Sequence, residues 1–222
     1  MVTVNSSHMV TVNIATIPER ESLLINTIKS LYDQADKINI WLNNYRSVPL
    51  WLSDTKINHH ATFNNVGDAG KFGFKAKGFI FSCDDDIIYP PDYVKKMMDR
   101  IDNNIITIHG KTFRPPIKSF YHDSWNKYRL DQELAEDQII QIPGTGVMAY
   151  HSDTITFNRK DFKKKNMADI WVGIKAKQCN IPVICIQHQK DWITLQHVDD
   201  SIWHRSHQKD YWQTKLINEK FA

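Results

Sequence analysis

The chain has 222 residues, of which 41% are hydrophobic and 24% charged, with a formal net charge of +3. That composition supports a real core and excludes a disordered protein, and the length suits one large domain better than two small ones. So slight a positive excess gives no field that would gather nucleic acid. No apolar stretch is long enough to cross a bilayer, so neither a nucleic-acid partner nor a transmembrane segment is expected.

Cys83, Cys179 and Cys185 are odd in number and lack metal-type spacing. With no secretory apolar region at the start, they predict a reducing, cytoplasmic setting without a disulfide framework. At the N-terminus Met1-Val2-Thr3-Val4-Asn5 recurs as Met9-Val10-Thr11-Val12-Asn13, and Ser6-Ser7-His8-Met9 resembles a cloning scar. Residues 1–8 are therefore set aside, and 9–222 is read as a single domain with a first half over 9–110 and a more variable second half over 111–222.

From Met9 the chain alternates strand-like and helix-like segments. Val10 to Ala15 reads as a strand. Pro18-Glu19-Arg20-Glu21 opens a helix whose Leu23, Leu24, Ile28 and Leu31 form a buried stripe. Lys37 to Leu42 is a second strand, ending at the polar turn Asn43-Asn44-Tyr45, and a weaker one spans Ile57 to Phe63. After Asn64-Asn65-Val66-Gly67-Asp68-Ala69-Gly70, Lys71 to Lys77 is expected as a short helix feeding a buried strand, Gly78 to Cys83. Tyr93 to Ile101 is helical and Ile105 to His109 a strand. Thr112 to Leu130 shows no clear helix. Ile139 to Ile142 and Val147 to Tyr150 flank the turn Pro143-Gly144-Thr145-Gly146, Met167 to Cys179 is helical, Val183 to Ile186 is a strand, and a polar tail follows from Asp191. Strands alternating with helices predict an α/β fold with a mainly parallel sheet covered on both faces.

The strongest chemical signal is Asp84-Asp85-Asp86, directly after the apolar run that ends at Cys83. Three consecutive carboxylates repel one another unless something cationic sits among them. Mg²⁺ and Mn²⁺ favour carboxylate oxygens while leaving positions for phosphates, and strand ends are where open α/β sheets bind ligands. The other reading is a solvated acidic turn before a helix, because Pro90-Pro91-Asp92 looks like a helix start.

Val12-Asn13-Ile14-Ala15-Thr16-Ile17-Pro18-Glu19-Arg20, Asp68-Ala69-Gly70-Lys71-Phe72, Asp84-Asp85-Asp86-Ile87-Ile88-Tyr89-Pro90-Pro91-Asp92-Tyr93 and Gly144-Thr145-Gly146 occur in that order. Together they resemble nucleotide-sugar glycosyltransferases of the GT-A fold. The resemblance is to bacterial capsular α-N-acetylglucosaminyltransferases of the heparosan type and, more closely, to glycosyltransferase domains encoded by large chlorella viruses. It runs from about Val10 to about Trp203.

The resemblance implies a Rossmann-like GT-A fold with a small antiparallel acceptor-side sheet, and metal-dependent transfer of a hexosyl unit from a UDP-sugar donor to a glycan or sugar acceptor. The first half would bind the nucleotide sugar and the second face the acceptor, in the host cytoplasm if the protein is viral. The chain would also suit one domain of a larger polypeptide. Ala15, Thr16, Ile17 and Arg20 would embrace uracil and ribose; Asn43 and Asn44 would hydrogen-bond base or ribose, although asparagine is also an ordinary turn former. Asp68 would accept the uracil N3–H, Gly70 would permit close backbone approach, and Lys71 would meet a phosphate or sugar hydroxyl, its plainer reading being a helix-surface lysine. Asp84 and Asp85 would contact ribose or donor sugar, Gly144, Thr145 and Gly146 would line the donor site, and Asp86 would ligate Mn²⁺ or Mg²⁺. Asp169 would be the general base, or else a helix cap; His204 would be a further metal ligand, or else a tail histidine. His59, His60 and His109 read as structural, and Trp192, Trp203 and Trp212 as sugar-stacking or core aromatics.

Two other functions share parts of the pattern. A nucleotidyltransferase of similar architecture usually has a Gly-rich loop after its first strand, which Ala15 to Arg20 lacks. A non-catalytic sugar-binding module would use the tryptophans but have no need of three carboxylates.

Overall fold

Residues that alternate along each strand sort onto two faces of one sheet. A computed structural model describes residues 8–197 and 210–222. The strands are β1 (Val10–Thr16), β2 (Lys37–Asn43), β3 (Ile57–Thr62), β4 (Phe79–Cys83), β5 (Ile87–Ile88), β6 (Ile105–Thr107), β7 (Gly110–Thr112), β8 (Asn126–Tyr128), β9 (Gln138–Ile140), β10 (Ile142–Pro143), β11 (Val147–His151), β12 (Val183–Cys185) and β13 (Thr194–Leu195). The helices are α1 (Glu21–Leu31), α2 (Tyr93–Ile101), α3 (Ala168–Gln178) and α4 (Tyr211–Lys220).

Eight strands form the central sheet in the order β3-β2-β1-β4-β11-β6-β12-β9. Val12, Ile14, Ile38, Ile40, Phe81, Val147 and Ala149 face α1 and α2. On the opposite face Ile80, Ile105, Met148 and Tyr150 pack with Val172 and Ala176 of α3. The protein is thus α/β with a large, mostly parallel but mixed sheet flanked by helices. The reversed members are β11, antiparallel to both β4 and β6, and β9 at one edge. β11 follows β10 through the turn at 144–146 and not through a helical crossover, so it enters against β4. Both halves of the sequence share this sheet, since β11 inserts between β4 and β6. A smaller antiparallel sheet, β10-β7-β8, stands beside it. No helix among the described residues is long and apolar enough to cross a membrane.

One face of β1–β3 carries an amide ladder that runs from buried Asn13 and Asn39 to exposed Asn58. Asn39 Nδ2 donates to Asn13 Oδ1 at 2.8 Å, and Asn58 Nδ2 donates to Asn39 Oδ1 at 3.0 Å, with the three residues in register. A one-residue slip would break both bonds, so the ladder fixes how β1 and β2 align and hence where their ends lie.

Two expectations fail locally. Lys71 to Lys77 is not helical: a 3₁₀ turn spans Gly67–Phe72, and the chain is irregular from Gly73 to β4. Phe72 stacks on Phe162 at 4.3 Å and meets Phe157 edge-on, contacts that override weak local propensity. The polar tail contains α4; its Ile217, and Phe221 just past its end, pack with Phe113, Phe120, Ile170 and Ile174.

Candidate functional site

Strands β1, β2 and β3 step across the sheet in one direction, whereas β4 lies on the other side of β1. The order therefore reverses between β1 and β4, and ligands of such sheets bind beyond the carboxyl ends of the strands at that point. A cleft of about 450 Å³ opens there, within the size range of small-molecule sites. Ala15, Thr16 and Ile17 line it from the end of β1, Asp84, Asp85 and Asp86 from the end of β4. Arg20, Asn43, Asp68 and Lys71 complete the wall from the first half, and Gly144, Thr145, Gly146 and Asp169 face them from the second.

The carboxylates are unequally neutralised. Lys71, 2% exposed, donates to Asp84 Oδ1 and to the Thr145 carbonyl at 3.2 Å. Burial pushes the Asp84 carboxyl up, but the Lys71 ammonium outweighs it and holds Asp84 below the usual carboxylate range. Asp84 lies deep in the cleft, yet its side chain is 45% exposed. Arg20 Nη1 bridges Asp85 Oδ1 at 2.9 Å and Asp86 Oδ2 at 3.2 Å. That shared guanidinium is not enough for Asp86. Burial first, then the charges of Asp84 and Asp85, push its carboxyl up to about 7. The triplet is short of positive charge at Asp86.

The turn opposite is fixed from several directions. Asp169 Oδ1 accepts the Thr145 N–H at 2.9 Å and the Thr145 hydroxyl at 2.6 Å. The Thr145 carbonyl accepts from Ser82 Oγ at 2.6 Å. Buried Tyr89 accepts the Asp84 N–H at 2.9 Å and donates to the Gly146 carbonyl, joining the acidic strand end to the turn. Thr27 of α1 lies within hydrogen-bond distance of the Asp85 and Ile87 carbonyls. Side chains at the turn's glycines would collide: a Cβ at Gly146 would sit 2.0 Å from Asp84 Oδ2, and one at Gly144 1.8 Å from His109 Nε2.

Asp68 has a structural task. Its two oxygens accept the Asn166 and Ala168 N–H groups at 2.8 and 2.9 Å, capping α3 and so positioning Asp169. Each oxygen retains a second lone pair for a ligand. Burial pushes this carboxyl up to about 6, against the pull of Lys71. The folded state therefore holds the Asp68 proton more tightly than the unfolded chain, where the value is near 3.9. That contribution is full below about pH 4 and is lost as pH rises through about 6. Relative to Asp68→Asn, wild-type stability should fall by ~1–3 kcal/mol between pH 4 and 7. Urea unfolding of both proteins across that range checks it; parallel pH curves would contradict the shift.

Several expected site residues take other places. Asn43 lines the cleft, but its amide accepts from Val66 N–H at 2.9 Å and donates to the Gly67 carbonyl at 3.3 Å, tying down the loop. Asn44, at φ 61°, faces a separate surface depression with Tyr45 and Trp51. Gly70 is not among the lining residues and serves packing: an added Cβ would lie 2.5 Å from the Trp41 ring. Gly70→Ala is accordingly expected to cost ~1–3 kcal/mol of stability by overpacking with ligand affinity unchanged; an unaltered denaturation midpoint would refute this. Trp192 donates to Asp92 at 3.0 Å and packs on Tyr93 of α2, away from the cleft. Trp212 is covered by the Lys164 ammonium at 4.1 Å and is not among the lining residues. His204 and Trp203 lie outside the described residues.

The cleft also has walls that the sequence did not announce. His109, expected to be structural, lines it, with its pKa lowered by burial. Lys111 and Lys127, paired across β7 and β8, line it with Phe120, Tyr121 and Gln213. Burial and the neighbouring Lys127 pull the Lys111 amine down to about 8, and the amine lies over the Phe120 ring at 4.2 Å. The chain matches no protein-family model and no curated protein.

Proposed function

We propose that this chain is a metal-dependent glycosyltransferase with GT-A organisation, moving a hexosyl unit from a UDP-sugar to a glycan or sugar acceptor. The observation that carries the reading is the Asp84-Asp85-Asp86 end of β4 at the switch point, facing Asp169 and the 144–146 turn across one cleft.

A divalent cation fits this donor set. No group of three or more His, Cys, Asp or Glu among the described residues could hold a metal alone. Mg²⁺, however, is commonly held by one or two carboxylates together with substrate phosphates. Asp86 is the carboxylate left short of positive charge, and it would hold Mn²⁺ or Mg²⁺ against the diphosphate. The ion's contribution when bound is Lewis-acid stabilisation of the departing UDP.

The rest of the chemistry falls to the chain's own groups. Ala15, Thr16 and Ile17 close on the nucleoside, with Asp68 offering a free lone pair to the uracil N3–H. Lys71 neutralises Asp84 without entering the cation site. Asp169 spends Oδ1 on Thr145, which leaves Oδ2 to take the proton of the acceptor hydroxyl where transfer inverts the anomeric centre. The acceptor oxygen then bonds to the sugar C1, the bond from C1 to the β-phosphate oxygen breaks, and its electron pair leaves with UDP.

Titration of the full chain with UDP, CDP and UTP, with and without Mn²⁺, tests the assignment. Mn²⁺ should strengthen UDP binding, and UDP should bind more tightly than CDP, which has no N3 proton, by ~1–3 kcal/mol. Metal-independent binding would favour a sugar-binding module, and preference for UTP a nucleotidyltransferase.

A further inference from the structure

Helix α4 places Gln213 and Ile217 four residues apart, on one face. Ile217 is fully buried in the cluster that joins α4 to α3 and to the 113–120 segment. Gln213 is only 8% exposed, at a position where packing alone would favour an apolar side chain. Its amide, with two donors and one acceptor, makes no hydrogen bond to any described residue. Nor is it sealed in like the unpaired Trp41 and Trp171 indole nitrogens; it lines the cleft.

The placement is built. Asp210 Oδ2 accepts from Ser119 Oγ at 2.6 Å and from the Tyr121 N–H at 3.2 Å. Thr214 Oγ1 accepts the Phe120 N–H at 3.0 Å, and the Asn218 amide makes reciprocal bonds to the Ile117 backbone at 2.7 and 2.9 Å. α4 is thereby clamped to the segment that supplies Phe120 and Tyr121 to the second-half wall. A buried polar group without a partner among the described residues, held on a rigid element and opening on a cleft, is satisfied by what enters the cleft.

Resting on the glycosyltransferase reading, we propose that Gln213 is a specificity-determining residue of an acceptor-sugar subsite, its amide donating to one ring hydroxyl and accepting from a neighbouring one. Tyr121 and Phe120, with the Lys111 ammonium over their rings at 4.9 and 4.2 Å, form the neighbouring part of the wall. The subsite belongs to the acceptor because the nucleotide is met by the ends of β1 and β4, in the other half of the wall.

The test compares wild type with Gln213→Met, which keeps length and removes the hydrogen bonds. With saturating UDP and Mn²⁺, a panel of methyl glycosides (glucoside, galactoside, N-acetylglucosaminide, glucuronide) is titrated by ligand-observed NMR. At least one glycoside should bind wild type, and its affinity should fall at least ~10-fold in the variant, the scale of a lost hydrogen-bonded contact. UDP affinity should stay within about twofold, and the thermal midpoint should hold or rise, because a buried amide with no partner among the described residues has become apolar. Equal glycoside binding by both proteins, or no glycoside binding by wild type that does bind UDP, would overturn the subsite. A marked fall in thermal midpoint would show that the amide is paired within the fold, and would overturn it too. Failure of wild type to bind UDP would instead sink the glycosyltransferase reading itself.

Discussion

Asp86→Ala is expected to lose sugar transfer by on the order of 10³-fold or more, the scale of several kcal/mol of Lewis-acid stabilisation, together with the Mn²⁺ dependence of UDP binding. The expectation rests on charge. Burial and two neighbouring carboxylates hold Asp86 at about 7, with one guanidinium shared between it and Asp85. Removing the carboxylate relieves repulsion, and Arg20 keeps Asp85 as partner, so the variant should unfold no earlier than wild type in the absence of metal. Transfer and thermal melting measured side by side decide the matter. Retained turnover in the variant, or wild-type activity unaffected by EDTA, would refute the metal role, and a collapsed fold would show Asp86 to be structural.

The second large effect is at Asp169. One of its oxygens fixes Thr145 through two hydrogen bonds, so replacement by alanine would confound turn geometry with chemistry. Asp169→Asn retains an oxygen for both bonds and removes the proton acceptor. The variant should bind UDP and Mn²⁺ as wild type does and lose at least ~10²-fold in transfer, the low end of general-base catalysis. Near-normal transfer would exclude the base role. So would a product that keeps the donor's anomeric configuration, since an inverting displacement is what requires this base.

Local pattern made part of this site readable. The apolar runs that end at Ala15 and Cys83 mark the ends of β1 and β4, and the helix Tyr93–Ile101 has the predicted bounds. Asp84, Asp85 and Asp86 stood out because three adjacent charges beside a buried strand are costly without a partner. What escaped the sequence depends on contacts between distant segments. Gly70 looked like a site for ligand approach, but Trp41 of β2 is what requires it. Asp68 stood out as a candidate base reader, but its second task, capping α3 through the N–H groups of residues 166 and 168 about 100 positions on, could not be read locally. His109 reaches the cleft because β7 pairs with β10 and carries the preceding turn against Gly144. α4 was missed because the aliphatic residues within it, Leu216 and Ile217, are few and set among polar ones; partners on α3 and the 113–120 segment cover them together with Phe221 at the helix end. The reversed strand β11 was legible as a strand but not in direction, which the 144–146 turn decides.

Cleavage of a nucleotide sugar in the cleft is what the proposed function requires above all. Incubating the full chain with a panel of UDP-, GDP- and CMP-sugars and Mn²⁺, without acceptor, and measuring released nucleotide, addresses this. Slow release of UDP from at least one UDP-sugar is predicted, abolished by EDTA and by Asp86→Ala, with no release from the GDP- or CMP-sugars. Absence of release from every UDP-sugar by a protein that binds UDP without regard to Mn²⁺ would contradict it.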